Sequence, residues 1–169
     1  MIISKAKVAI LLATYNSEKY LAQQIDSILN QSFTEYELYI KDDGSKDQTA
    51  SIIRGYAKNH SNLHFLDEKT QNKGAMGNFE YLLREIDSQY YMFCDHDDFW
   101  LPNKIELSYK HIKELERSFQ NQSIIVHTDL KIVDQDLNQI HHSFWEYSGI
   151  NPKVCTSFKY LSVHNGLTG

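Results

Sequence analysis

The sequence is poor in cysteine and has no long apolar segment. Its 169 residues include only Cys94 and Cys155, which are too few for a disulfide framework and do not have metal-ligand spacing. The longest apolar run, residues 8–13, has the length of a strand, whereas a membrane-spanning helix needs roughly 20 apolar residues. The first residues also lack the apolar core of a secretory signal. These absences predict a cytoplasmic protein, with any membrane association peripheral and at the inner face of the membrane.

Basic segments and two common phosphate-binding motifs are absent as well. The chain carries 17 Lys and Arg residues against 22 Asp and Glu, a formal net charge of −5, and it has no run of basic residues. Because a nucleic-acid-binding surface normally has a basic face, we expect no nucleic-acid partner. The patterns G-x-x-x-x-G-K-[ST] and G-x-G-x-x-G do not follow the first strand, which argues against a P-loop and a dinucleotide fold. A small diphosphate remains compatible with the charge, since a metal ion or backbone N–H groups neutralise it locally.

The sequence does contain an alternation of apolar strands and amphipathic helices. A hydrophobic fraction of 41% with 23% charged residues is ordinary for a globular chain, and the length fits a single domain over residues 1–169. Strands that alternate with helices predict an α/β fold with a mostly parallel sheet. The predicted strands are residues 7–13, 36–41, 63–66, 90–94 and 123–127, and the helical stripes cover residues 20–29, 52–56, 76–86 and 105–115.

Helix starts and the last third of the chain give weaker signals. Asn16 or Ser17 is expected to cap the first helix, and Asp47 the second. Residues 130–133 predict an antiparallel strand with a turn near residues 134–138. Residues 143–153 predict an aromatic-rich loop, and residues 158–163 a short helix.

Three polar clusters directly follow predicted strands. They are residues 14–16, the pair Asp42 and Asp43, and the acidic run 95–98. Because ligands bind outside the carboxyl ends of the strands in open α/β sheets, five carboxylates are expected to converge on one crevice. Carboxylate oxygens suit Mg²⁺ or Mn²⁺. Turn chemistry explains Asp42 and Asp43 equally well, whereas three carboxylates in four residues after an apolar strand favour a metal role.

Histidine and cysteine give weaker candidates. The pair His141 and His142 has no partner at zinc-like spacing, so both are expected to be surface residues. Cys94, at the end of an apolar strand, is expected to be a small buried hydrophobe and not a nucleophile.

Five motifs in order give the chain a family resemblance over about residues 7–135. They are residues 13–18, residues 27–33, residues 42–47, residues 72–74 with Asn78 and Phe79, and residues 95–105. With these motifs the sequence resembles glycosyltransferase family 2, inverting enzymes of the GT-A fold. Residues 95–105 are similar to rhamnosyltransferases of surface polysaccharides. The resemblance implies a Rossmann-like, mostly parallel sheet flanked by helices on both faces.

The resemblance also implies residue roles. Ala13 and Tyr15 would line the nucleotide pocket, Glu18 would reach the nucleotide, and Asp43 would accept a hydrogen bond from the pyrimidine N–H. Asp95 and Asp97 match the outer residues of the D-x-D motif. Asp97 would contact the metal, and Asp95 would contact the metal or the sugar and ribose. His96 stands at the variable middle position and receives no role.

The implied reaction moves a sugar from a nucleotide-diphosphate donor to an acceptor hydroxyl with inversion. The donor would be dTDP-rhamnose or a UDP-sugar, and the acceptor a saccharide or lipid-linked saccharide in cell-surface polysaccharide biosynthesis. Mn²⁺ or Mg²⁺ would stabilise the leaving diphosphate, and a carboxylate would act as general base. Family members are longer at the C-terminus, so this chain resembles a truncated member and the base is expected beyond Gly169. Asp129 is the nearby carboxylate, and it is not assigned as the base.

Three alternatives remain open at the level of sequence. A non-catalytic sugar-nucleotide-binding fragment would bind donor without transfer. A nucleotidyltransferase also uses an α/β sheet and acidic metal sites, but its Gly-rich, basic signature near the first strand is absent. A signalling receiver domain explains Asp42 and Asp43 but not the acidic run 95–98. The sugar, the acceptor and the oligomeric state are not encoded in any motif that we identify.

Overall fold

The computed structural model describes residues 1–67, 73–151 and 153. The chain forms two compact units, one comprising Met1–Tyr109 and the other beginning at Lys110. None of the helices in the described ranges is long and apolar enough to cross a membrane. The elements up to Ser118 are β1 Ile2–Ile3, β2 Val8–Thr14, α1 Leu21–Leu29, β3 Tyr36–Asp42, α2 Thr49–Asn59, β4 Leu63–Phe65, α3 Gly74–Glu85, β5 Ile86–Asp87, β6 Tyr90–Cys94 and α4 Lys104–Ser118. They are followed by β7 Ile132–Val133, β8 Gln139–His141 and α5 Phe144–Tyr147.

The first unit is built on a four-stranded parallel sheet. Its strand order is β4-β3-β2-β6, with β2 between two neighbours. Every residue of β2 is buried, as expected for a strand that is covered on both faces in a parallel sheet. A second, two-stranded parallel sheet pairs β1 with β5, and neither of these short strands was predicted.

Helices cover both faces of the four-stranded sheet. Ala9 and Leu11 of β2 belong to a buried cluster with Leu82 of α3. On the opposite face, the Tyr36 hydroxyl at the start of β3 donates to the carbonyl of Ile28 in α1 at 2.8 Å. The predicted α/β fold, with a mostly parallel sheet between helices, is therefore confirmed.

The predicted strand over residues 123–127 is wrong. These residues form no regular element in the structure, and Ile125 has 65% of its surface exposed. A short apolar run becomes a strand only when it finds a ladder partner, and none of the described strands pairs with it.

The rest of the second unit agrees better with the sequence. Strands β7 and β8 are antiparallel, and the carboxylate of Asp134 holds the predicted turn by accepting the N–H groups of Asp136 and Asn138. The aromatic stretch predicted as a loop contains the short helix α5. The predicted helix over residues 158–163 lies outside the described residues.

The helices agree with the prediction only in part. Helix α1 has Tyr20 as its N-cap and no side-chain cap; it begins past Asn16 and Ser17, and the Ser17 hydroxyl accepts the Tyr15 N–H. Asp47 does accept a backbone N–H at the start of α2, that of Thr49, at 3.0 Å. The stripe predicted for α3 is only partly buried, since Met76 has 84% of its surface exposed.

Candidate functional site

The three polar clusters leave adjacent strands at one edge of the sheet. Thr14 at the end of β2 pairs with Asp42 at the end of β3. On the other side of β2, Leu12 pairs with Cys94, the last residue of β6. The loop after β2 therefore lies between the two acidic segments, at the carboxyl edge where open α/β sheets bind ligands.

The loops after β2 and β3 are joined by hydrogen bonds. The N–H of Asn16 donates to the Ser45 hydroxyl at 2.8 Å, and the Asn16 side-chain oxygen accepts the N–H of Lys46 at 2.9 Å. The carboxylate of Glu18 accepts the N–H of Gln48 at 2.9 Å. Ala13 is buried at the end of β2, whereas the Tyr15 ring lies at the surface with 42% exposed. This loop pair is a fixed platform that presents Tyr15 to solvent.

Asp42 and Asp43 have different surroundings. Asp42 accepts the Thr14 hydroxyl at 2.9 Å and the Ser45 N–H at 2.9 Å, so turn chemistry accounts for it, one of the two interpretations left open above. Asp43 is only 2% exposed. One of its oxygens accepts the Lys73 N–H at 2.9 Å and the other accepts the Gly74 N–H at 2.8 Å. Asp43 thus connects the end of β3 to the start of α3, where a negative charge is favourable.

The acidic run after β6 concentrates charge at the same edge. Asp95 and Asp97 are exposed, and Asp98 is half-buried. Loss of hydration, followed by the charge of Asp97, raises the pKa of Asp95. Loss of hydration and the charge of Asp95 raise the pKa of Asp98 to about 6, against a smaller opposing effect of Lys104. Carboxylates that raise one another's pKa gain from a bound cation.

Lys104 is a basic residue beside the acidic run, and no role was predicted for it from the sequence. Burial lowers its pKa, while Asp98 opposes that change. Its ammonium group lies 4.8 Å from the centre of the Trp100 ring. Trp100 is buried, so the aromatic ring fixes the position of the lysine beside the acidic run.

Helix α1 and Gln31, two residues after its end, hold the segment that carries these carboxylates, a feature that was not predicted. The Ser27 hydroxyl accepts the Trp100 N–H at 3.1 Å. The Gln31 side chain donates to the Leu101 carbonyl at 2.8 Å and accepts the Ile105 N–H at 3.1 Å. The available signal was a pair of polar residues four positions apart, Ser27 in α1 and Gln31 just after it, which continue the spacing of the buried helix face.

The donor atoms of the acidic run fit a hard divalent cation that also binds a phosphate. Among the described residues, the three carboxylates of the run do not form a closed three-ligand cluster; a cluster of that kind is found instead at His141, His142 and Glu146. Mg²⁺ is commonly bound by one or two carboxylates together with substrate phosphates and water. Asp95 and Asp97 are both exposed and can provide one or two such carboxylate ligands.

Two other candidates have structural roles. Cys94 is fully buried, and burial raises the pKa of its thiol, as expected for a small hydrophobe. Asp129, in the second unit, accepts the N–H groups of Leu130 and Trp145. Burial raises the pKa of Asp129, but these bonds and the hydrogen bond with the Ser143 side chain outweigh that effect. The pKa is therefore lowered, which weakens Asp129 as a base.

The family model described as glycosyl transferase family 2 matches residues 9–164. The chain belongs to glycosyl transferase family 2. An uncharacterised glycosyltransferase of Rickettsia typhi is 29% identical over 134 residues, which are 79% of this chain and 39% of that protein. The chain thus spans less than half the length of this family member.

Solved structures share the fold. S. aureus TarS residues 1–349, in complex with UDP, superposes with a TM-score of 0.59 and 23% identity over 75% of this chain and 41% of that chain. A mannosyltransferase of Pyrobaculum calidifontis, in complex with GDP-Man and Mn²⁺, has a TM-score of 0.51 and 25% identity over 56% of this chain and 28% of that chain. These likenesses agree with the GT-A fold.

Proposed function

We propose that this chain is the donor-binding part of an inverting glycosyltransferase that uses a nucleotide-diphosphate sugar and a divalent cation. The observation that carries the proposal is the carboxyl edge of the sheet. There the exposed Tyr15, the buried Asp43 and the acidic run that starts at Asp95 follow three adjacent strands. The proposed setting is cell-surface polysaccharide synthesis at the cytoplasmic side of the membrane, with a saccharide or lipid-linked saccharide acceptor.

The nucleotide would lie on the platform formed by the loops after β2 and β3. Ala13 and Tyr15 would border the base and ribose, with the exposed Tyr15 ring as a stacking surface. Both oxygens of Asp43 already accept backbone N–H groups. Each carboxylate oxygen has a second lone pair, so Asp43 can still accept a pyrimidine N–H. One oxygen of Glu18 accepts the Gln48 N–H, and the other would reach the nucleotide in this proposal.

The cation would be held by Asp97, with Asp95 as a second ligand or as a contact to the sugar and ribose. When bound, Mg²⁺ or Mn²⁺ would neutralise the diphosphate and the charge that develops on it as it leaves. Lys104 adds a positive charge beside the same carboxylates. The rigid attachment of this segment to α1 through Ser27 and Gln31 keeps the ligands in place before binding.

The bound nucleotides of the similar structures support a nucleotide-diphosphate donor without fixing the base. One was solved with UDP and the other with GDP-Man and Mn²⁺. A dTDP-rhamnose or UDP-sugar donor is proposed here from the likeness of residues 95–105 to rhamnosyltransferases and from the pyrimidine role of Asp43.

Calorimetric titration with UDP, dTDP and GDP, each with and without Mn²⁺, tests the proposal. We expect binding that requires Mn²⁺, with a pyrimidine nucleotide bound most tightly. Asp97→Asn should weaken Mn²⁺-dependent binding at least tenfold at unchanged stability. The matched control is Asp87→Asn. Asp87 is an exposed acidic residue at the end of β5, in the two-stranded sheet of β1 and β5, and this variant should bind as the parent does. Metal-independent binding, or equal loss in both variants, would overturn the assignment.

A non-catalytic donor-binding role is the second candidate, because Asp129, the carboxylate considered as a general base, has a lowered pKa that makes it a weak base. Donor binding without release of free nucleotide in the presence of acceptor saccharides would favour it. Sugar transfer by this chain alone would exclude it.

A further inference from the structure

A second cluster of metal-binding side chains lies in the second unit. His141, His142 and Glu146 each offer one ligand atom, and these atoms all lie within 4.8 Å of one another. The Nε2 atom of His142 is 2.8 Å from a carboxylate oxygen of Glu146. The two imidazole rings are stacked, with centroids 4.8 Å apart and planes inclined by 21°. Two neighbouring imidazoles and a carboxylate form the donor set of many zinc sites.

The local fold brings the three side chains together. His141 ends β8, and Glu146 lies in α5, whose N-cap is Ser143. The Ser143 hydroxyl accepts the Glu146 N–H at 3.0 Å, the first half of a capping box. In a complete box the Glu146 carboxylate would bond the Ser143 N–H in return. Here that N–H points to the His141 Nδ1 atom at 3.2 Å instead, so the Glu146 carboxylate faces His142.

The two contacts of His141 Nδ1 require opposite ring tautomers: the bond accepted from the Ser143 N–H puts the ring proton on Nε2, and the contact to the Ser143 carbonyl puts it on Nδ1. The Nδ1 atom lies 2.8 Å from the Ser143 carbonyl oxygen. When Nδ1 carries the proton and donates to that carbonyl, Nε2 keeps its lone pair for a metal ion. Metal-bound histidines commonly donate their second ring N–H to a carbonyl or carboxylate in this way. The shorter of the two Nδ1 contacts, the one to the carbonyl, is the contact that metal binding requires.

We propose that His141, His142 and Glu146 form a Zn²⁺ site, with a water molecule as the fourth ligand. Tetrahedral zinc ligands are about 3.3 Å apart, given bond lengths near 2.05 Å, so the widest gap of the cluster must close by at most about 1.5 Å, whereas His142 Nε2 and the Glu146 oxygen, 2.8 Å apart, must separate slightly. The exposed His142 and Glu146 can make both adjustments by small rotations, because their surroundings are solvent. The two imidazoles make this site select Zn²⁺, in contrast to the all-oxygen acidic run, which suits Mg²⁺ or Mn²⁺.

The competing explanation is an ordinary surface ion pair between His142 and Glu146. Such a pair contributes little to stability and confers no metal affinity beyond that of a single histidine. The structure offers a matched example in helix α4, where His111 lies 3.9 Å from Glu114. In the described part of the chain, that pair is not part of a three-ligand cluster.

Calorimetric titration of the full chain with ZnCl₂, in the presence of excess Mg²⁺, tests the site. We expect one tight Zn²⁺ equivalent whose affinity falls at least tenfold in His142→Ala and in Glu146→Gln. The control variant His111→Ala should retain the parent affinity. Because His142 and Glu146 are both exposed, circular dichroism should show an unchanged fold in both variants.

A second readout follows the imidazole nitrogens by NMR. Zn²⁺ should shift the Nε2 resonance of His141, while its Nδ1 stays protonated. Absence of a tight Zn²⁺ equivalent, or equal affinity in the parent and His142→Ala, would overturn the site. Asp97→Asn should retain Zn²⁺ binding, so a failure of the donor-site proposal is distinguishable from a failure of this one.

Discussion

Asp43 is the buried carboxylate of the sheet's carboxyl edge. We expect Asp43→Asn to lower the free energy of unfolding by about 1–3 kcal/mol, because one of the two N–H groups that start α3 would then face an amide NH₂ group. The same change should weaken UDP binding, since the amide no longer offers two accepting oxygens. Urea unfolding and UDP titration measure the two effects.

The two effects need a common control. Asp87→Asn, at an exposed position outside the four-stranded sheet, should change neither quantity by more than about 0.5 kcal/mol. Full stability together with lost UDP affinity would show that Asp43 acts on the nucleotide alone. Full affinity with lost stability would remove it from the binding site.

Glu37 makes the stability of the fold depend on pH in the acid range. Burial raises its pKa, but hydrogen bonds from the Ser4 hydroxyl, the Tyr39 hydroxyl and the Lys5 N–H outweigh that effect and lower the pKa to about 2. Its ordinary value is 4.5. Because the folded-state pKa is depressed, the stabilisation is complete above pH 4.5 and is lost as the pH falls toward 2.

We expect Glu37→Gln to cost about 2 kcal/mol of unfolding free energy at pH 7 and to reduce the pH dependence between 4.5 and 2. Urea unfolding over that pH range measures both. Glu35→Gln, which breaks an exposed ion pair with Lys7, should cost less than about 1 kcal/mol. Equal costs for the two variants at pH 7 would contradict the role of Glu37.

At the scale of elements, the end of α1 positions the acidic segment through Gln31, two residues beyond the helix. Gln31→Leu would leave the Leu101 carbonyl and the Ile105 N–H without their side-chain partner. We expect a loss of about 2–4 kcal/mol in unfolding free energy and a several-fold weaker Mn²⁺-dependent nucleotide affinity. Chemical denaturation and calorimetry check the two results.

Asn30→Ala is the matched control, since the exposed Asn30 side chain bonds the Asp26 carbonyl within α1. It should change stability by at most about 0.5 kcal/mol. If Gln31→Leu lowers stability but leaves affinity intact, the attachment to α1 does not position the metal ligands.

The elements also show where sequence reasoning succeeds and where it stops. Strand β2 was predictable because a long apolar run has few alternatives once a sheet is covered on both faces, and β3 because its residues alternate at period two. The carboxyl ends of β3 and β6, and hence the expectation that Asp43 and Asp97 lie at one edge, followed from the predicted topology. The failed strand over residues 123–127 depended on a partner strand, which a local pattern does not contain. Gln31 was missed because its partners lie far along the chain, at Leu101 and Ile105.

At the scale of the whole molecule, the sheet core and the acidic segment all lie before the end of α4. We expect a fragment of residues 1–118 to unfold cooperatively in urea, because its strands, its buried clusters and the α1 attachment are complete. A fragment of residues 1–87 lacks β6, which leaves one side of β2 unpaired, and should show no cooperative transition. Circular dichroism against urea measures both. A non-cooperative 1–118 fragment would contradict the expectation.

The position of β2 between β3 and β6 links binding to the order in which the sheet closes. Strand β3 follows β2 after one helix, whereas β6 follows only after three helices. Loop-closure entropy makes the β2–β6 pairing the more costly one to form. Because the acidic run is attached to β6, the two halves of the candidate site meet only after that last pairing. Nucleotide binding is therefore a direct measure of how much of a sample has formed the β2–β6 pairing.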